Sequence, residues 1–285
     1  MTHSRSGLWY GLLGVVIFSF TLPATRMAVQ GGLSPVLVGL GRAVVAAVFA
    51  GVTLVATGAK FPKRVHWPGL VGVALGCIVG FPWLTAQALE TVPASHGAIL
   101  TGLLPLATAL AARLRTHERP KARFWVCAVA GSTTVVSYAL YVGDGQLHQG
   151  DWLLLVAMGA AAVGYAEGGI IARSLGGWET MCWALVIAAP ALVWPAWKSL
   201  PAEPSIVPAQ AWAGFAYTCV FSMFLGMISW YRGLALGGIA RVGQVQLVQP
   251  FLTLFWASLV LGEQWSWLAV VCALVVVTFV GIGRR

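Results

Sequence analysis

About ten stretches of roughly twenty apolar residues follow one another along this chain. They fall near 8–30, 34–57, 67–89, 94–114, 122–142, 152–173, 178–199, 209–231, 239–261 and 265–283. A helix rises about 1.5 Å per residue, so each stretch can cross roughly 30 Å of hydrocarbon. Inside lipid the backbone must satisfy its own hydrogen bonds, which leaves helices or closed barrels. The short alternating segments of a barrel strand are absent. Charged residues make up 9% of the chain and hydrophobic ones 59%. A soluble domain carries about 25% charged residues, so this sequence cannot cover a water-facing surface. The expected fold class is an all-α integral membrane protein with ten transmembrane helices, and its first partner is the lipid bilayer.

The net charge of +9 does not point to nucleic acid. No basic stripe alternates with aromatics, and the cations collect in short loops between spans. With the N-terminus inside, cytoplasmic positions hold 14 of the 17 Lys and Arg residues, among them Arg64, Arg113, Arg115, Arg119, Lys121 and Arg123. Asp144, Asp151, Glu203 and Glu263 then lie outside. Both termini are therefore expected in the cytoplasm, in a multi-pass protein of a bacterial inner (plasma) membrane. Trp9, Trp67, Trp125, Trp152, Trp178, Trp197, Trp212 and Trp265 fall near span ends, where an amphipathic ring anchors. The five cysteines lie in apolar runs without CxxC spacing and read as small buried hydrophobes. The N-terminal run continues apolar past Thr25, so it reads as a first span rather than a cleaved signal.

The chain also repeats. "PLATALAARLRTHE" (105–118) and "PFLTLFWASLVLGE" (250–263) are 145 positions apart, and the same shift places Gly31-Gly32 on Gly176-Gly177 and Thr108 on Thr253. Residues 1–142 and 143–285 then hold five spans each. Five is odd, so the second half enters the membrane from the opposite side. This explains why the first copy ends among arginines and the second does not. Two inverted halves around a midplane site are the architecture of alternating access.

The blocks "QALETVPASHGAILTGLLPLATALAARLRTHERP" (87–120) and "RGLALGGIARVGQVQLVQPFLTLFWASLVLGEQW" (232–265) resemble the EamA-type permeases of the drug/metabolite transporter superfamily. The resemblance covers essentially the whole chain. The first copy departs from the family's usual glycine–glutamate pair, with His117 in the glycine position. The resemblance implies two EamA-like repeats, a cavity lined by spans 1, 3, 4, 6, 8 and 9, peripheral spans 5 and 10, and a cargo among amino acids, nucleobase-like compounds, vitamins and drugs.

Ionisable groups within a span cost several kcal/mol unless paired or hydrated, so each is a functional candidate. Glu167 in span 6 reads either as a cavity carboxylate for an amine or proton, or as a paired structural charge. Arg26 and Arg42, with Glu90 and His96 at the turn between spans 3 and 4, read as an outer gate or as snorkelling charges with an Arg42–Glu90 pair. Gln246 and Gln249 share a face of span 9 and suit a zwitterion, or tie helices together. Phe20, Phe81, Trp83, Tyr165 and Trp230 lie near the midplane and could wall a cavity or simply pack. Pro23, Pro82, Pro105 and Pro250 break spans near their middles and are candidate hinges. Gly72, Gly76 and Gly80, with Gly164 and Gly168, give the small-xxx-small spacing of close helix contact.

The expected function is a secondary transporter that exports small amphipathic metabolites, amino acids first, with a drug or organic-cation efflux pump as the alternative. An intramembrane lipid-processing protein is the remote alternative, because the spans hold no catalytic or metal-ligating constellation. No enzyme activity, cofactor or metal is expected. The partners expected are a small-molecule substrate and the bilayer, and one chain suffices for transport.

Overall fold

A computed structural model describes residues 2–116, 122–142, 148–264 and 266–283. Glu118 and His117 of the first repeat block, Arg119, Lys121, Asp144, Trp265, Arg284 and Arg285 lie outside the described residues. Among the described residues there is helix and no strand. The helical segments are α1 (Ser6–Gln30), α2 (Leu37–Ala56), α3 (Arg64–Ala88), a bent α4 (Ala94–Thr101 with Leu104–Arg115), α5 (Ala122–Val142), α6 (Gln149–Leu175), α7 (Gly177–Lys198), α8 (Ala209–Gly237), α9 (Arg241–Leu261) and α10 (Trp267–Gly283). Among the described residues seven helices are long and apolar enough to cross a membrane, and eight if the two limbs of α4 are one span. That is fewer than the ten expected. The difference lies in α5 and α10, of which α10 has only a short apolar stretch, Trp267–Phe279.

Packing follows a regular scheme. The strongest pairings are α1 with α8, α3 with α6, α2 with α7, α5 with α10, α4 with α9, α4 with α6, and α9 with α1. Exchange the nth segment of one half with the nth of the other, and α1–α8 becomes α6–α3, while α4–α6 becomes α9–α1. The α2–α7, α4–α9 and α5–α10 pairs map onto themselves. The main core runs through α1, α2, α3, α6, α7 and α8. A second cluster joins α4, α5, α6, α9 and α10.

Small residues set the α3–α6 contact, as their spacing predicts. A Cβ at Gly76 would collide with the Ala160 carbonyl and lie 2.8 Å from the Gly164 nitrogen. The two backbones touch, leaving no room for a side chain.

Four of the prolines stand where helices restart, while Pro190 and Pro195 lie inside α7. Pro23 is third in Thr21–Gln30, and Pro82 is second in Phe81–Ala88. Pro105 and Pro250 are second in Leu104–Thr116 and Gln249–Leu261. A proline has no N–H to donate, which costs nothing in the first turn of a helix. The breaks before them are real: α4 bends by 40° at residues 102–103, and a tighter 3₁₀ stretch, Gln244–Val248, precedes Gln249. The last two segments are each 13 residues long and begin and end 145 positions apart.

Candidate functional site

A small cavity lies where seven of these segments converge. Phe18, Thr21 and Leu22 come from α1, Arg42 from α2, Cys77 and Phe81 from α3, and Leu104 from α4. Tyr165 comes from α6, Ser222, Met223 and Met227 from α8, and Gln249 from α9. Among the described residues α5 and α10 contribute none to the lining. The cavity measures about 20 Å³, room for a water molecule and not for a metabolite.

Its walls are made of helix with an irregular ladder. Three π-helical stretches occur, Leu37–Gly41, Ala74–Gly80 and Thr218–Gly226. Arg42 directly follows the first. Cys77 lies in the second and Phe81 follows it. Ser222 and Met223 lie in the third and Met227 follows it. A π turn accommodates an extra residue per turn and is concentrated at functional sites. In α3 the cause is in the sequence: Pro82 cannot donate to Ile78, and its ring crowds that carbonyl.

Among the described lining residues Arg42 is the only ionised side chain. It is 2% exposed. Its Nε has no hydrogen-bond partner, and among the described residues no carboxylate lies within ion-pair distance of it. The chain has eight acidic residues, and six of them are described. Glu263 pairs with Arg26, Asp151 with His96 and Glu167 with Arg115. Glu90 and Glu203 are exposed, and Glu179 sits in the first turn of α7. The neutral polar groups around the cavity are tied to one another. The Thr21 and Ser222 hydroxyls are 2.9 Å apart and join α1 to α8. One turn back, Ser19 accepts at its carbonyl from Thr253 Oγ1 (2.8 Å) and at its hydroxyl from Trp256 Nε1 (3.2 Å). The aromatic side is Phe18 and Tyr165, with ring centroids 6.5 Å apart, backed by Trp230 at 5.4 Å from Tyr165.

Both ends of the bundle are bridged. At one end Arg26 Nε meets Glu263 Oε1 at 3.0 Å, and its guanidinium donates to the carbonyls of Leu89 and Val92. Glu263 also accepts from the N–H groups of Ala94 (2.9 Å) and Ser95 (2.8 Å). A carboxylate is well placed at the start of a helix, where the N–H groups are unsatisfied and the dipole is positive. Beside it His96 Nε2 lies 2.7 Å from Asp151 Oδ1, and Asp151 Oδ2 accepts from the His148 N–H at 2.9 Å. These contacts join α1, α3, α4, α6 and α9. At the other end of α4, twenty residues and roughly 30 Å away, Arg115 pairs with Glu167 of α6; its Nη2 lies 3.2 Å from Oε2.

The expected site residues therefore separate. Phe81, Tyr165 and Gln249 line the cavity, and Trp230 stands behind it, fully buried. Phe20 instead makes edge contacts with Tyr217 (4.8 Å) and Trp256 (5.5 Å). Trp83 sits at the α2–α3 contact, where its backbone abuts Gly39. Gln246 is buried with both amide atoms unpartnered, yet is not in the lining. Glu167 is not in the lining either: it packs against Gly72 and reaches Arg115. Arg26 and His96 lie in the bridged end. Arg42 does not, and the Arg42–Glu90 pair is absent among the described residues. Helix rise explains this. Arg42 is seven residues past Pro35, about 10 Å down α2, whereas Glu90 follows the end of α3 in an exposed turn.

Sequence reading passed over Glu263, Asp151 and Arg115 as loop charges, and over Thr21 and Ser222 altogether. Glu263 had a signal, since it closes the repeated block. Arg115 had one too, because a carboxylate inside a span needs a cation at its own depth. Hydroxyls within apolar runs carry none.

Known proteins match this chain along its whole length. The model of the EamA-like transporter family matches it twice, over residues 5–139 and 148–282. An uncharacterized transporter, YdeK, of Bacillus subtilis (strain 168) is 41% identical over 285 residues, spanning 100% of this chain and 99% of its own. A crystal structure described only as that of a protein superimposes with a TM-score of 0.70 at 16% identity, covering 98% of each chain. That last likeness is one of fold.

Proposed function

The chain belongs to the EamA-like transporter family, and from that premise we propose that it exports small amphipathic metabolites by alternating access around the cavity beside Arg42. It is a multi-pass membrane transporter and not an enzyme. Amino acids are the first cargo to test. The observation that carries this reading is the cavity itself: mixed polar and aromatic lining, reached by segments of both halves, with an ion pair across the bundle at either end.

In this reading ten spans form two inverted five-helix halves, residues 1–142 and 143–285. The closed exchange of pairings and the 145-residue offset of the two proline helices support it. Both termini are cytoplasmic, the Arg26–Glu263 end faces outside, and the membrane is a bacterial plasma membrane. One chain supplies both halves, so a monomer suffices. The organic-cation alternative loses its anchor, because Glu167 is held by Arg115 and the charge in the cavity is positive.

Proteoliposomes loaded with unlabelled neutral amino acids should accumulate the labelled form faster than protein-free vesicles, with saturation. A rate equal to that of empty vesicles across a broad metabolite panel would overturn the transporter reading. A tag after residue 142 should be reached from the side opposite both termini.

A further inference from the structure

A charged side chain buried inside a membrane protein normally has a partner, because an isolated charge there costs several kcal/mol. Arg42 is the exception among the described residues. It is almost wholly buried, Nε is unpartnered, and it lies in the lining of the central cavity. Of the six described carboxylates three are paired elsewhere, Glu90 and Glu203 are exposed, and Glu179 sits in the first turn of α7, outside the cavity lining. The rest of the lining is neutral: the Thr21 and Ser222 hydroxyls and the Gln249 amide on the polar side, with Phe18, Phe81, Tyr165 and Met223 among the apolar members. A guanidinium presents a planar fork of donors that matches a carboxylate. The cavity has no acidic group to receive an ammonium.

We propose that Arg42 is the cargo's anchor and that it recognises a carboxylate on an apolar body, with no ammonium required. The proposal rests on the transporter reading for its purpose, but its recognition chemistry can be measured without transport. When the bundle opens and the walls part beyond the 20 Å³ of this closed state, a carboxylate entering between them supplies the counter-ion that the fold omits. Gln249, whose amide can donate as well as accept, is placed to share the second carboxylate oxygen. The aromatic and methionine side takes the apolar body.

The test uses the purified full chain and three probes that share a phenyl body: phenylalanine, 3-phenylpropanoate and phenethylamine. Thermal unfolding is followed while each is titrated, since a ligand of the folded state raises its stability. Phenylalanine and 3-phenylpropanoate should raise the midpoint, and phenethylamine should not. Arg42→Gln should weaken the two carboxylates at least tenfold, with partial recovery in Arg42→Lys. Without any probe, Arg42→Met should raise the midpoint of the empty protein, because an uncompensated charge is removed. Equal shifts from the amine, no shift from either carboxylate, or a lowered midpoint in Arg42→Met would each overturn the proposal. The second outcome counts at millimolar probe. Failure of the transporter reading looks different: the carboxylates bind, yet no panel member crosses the proteoliposome membrane.

Discussion

Glu263 makes three contacts at once, to Arg26 and to two backbone N–H groups at the start of α4. Each oxygen of the carboxylate is used, so Gln at this position keeps the shape and loses the charge. Removing a charge-assisted cap and ion pair that are mostly buried costs on the order of 1–3 kcal/mol. Glu263→Gln is therefore expected to lower the unfolding midpoint in detergent and to loosen that end of the bundle. Cys77 is a free, buried thiol in the cavity lining. Its labelling by a membrane-impermeant maleimide should rise in Glu263→Gln, measured against a Cys77→Ala control. Unchanged labelling would mean that the contact does not hold the end shut. The Arg115–Glu167 pair differs in kind. Arg115 is 57% exposed, and an exposed ion pair is worth about 0–1 kcal/mol. Glu167→Gln should change the transport rate and leave the selection between carboxylate and amine untouched.

At the scale of the helix, legibility in the sequence depended on whether a residue type has one meaning or several. Glycine at Gly72, Gly76 and Gly80 has few uses inside a span, and the close α3–α6 contact it announces is there. Substituting Gly76→Leu should destabilise the chain by at least about 1–3 kcal/mol, the range for overpacking, because the colliding atoms are backbone and cannot turn aside. Chemical denaturation in mild detergent measures this, and a midpoint equal to wild type would contradict the contact. Proline was plain at Pro23, Pro82, Pro105 and Pro250, which fall in first turns, and not at Pro190 and Pro195, which lie inside the unbroken α7. Arginine was not. Arg26 and Arg42 look alike along the chain, both a few residues inside a predicted span end. The first meets carbonyls and Glu263, while the second has turned into the cavity beside a π-helical stretch. Outside α3, where Pro82 marks the spot, hydrogen-bond slippage of one residue leaves no mark in composition, so neither the other two π stretches nor the side chains they aim could be read in advance.

For the whole molecule, the apolar runs announced helix, which is what the described residues hold, and the 145-residue offset reappears in the two proline helices. Helix in lipid is nearly forced. What the repeat could not show is which polar residues of the two halves meet, because that depends on pairings such as α1 with α8 and α3 with α6, the first of which brings Gly7 against Gly237. The cavity that results holds one fixed positive charge and, among its lining residues, no carboxylate or imidazole to carry a proton. This bears on what drives the cargo. A membrane potential works on net charge, at about 2.3 kcal/mol per elementary charge per 100 mV. A zwitterion riding beside Arg42 feels none of it, whereas a simple anion is expelled from a negative interior without any coupled ion. Setting the voltage of proteoliposomes with a potassium gradient and valinomycin should speed anion efflux by roughly tenfold or more at −100 mV and leave zwitterion exchange unchanged. The lone guanidinium would then make the cell's own voltage the engine of export.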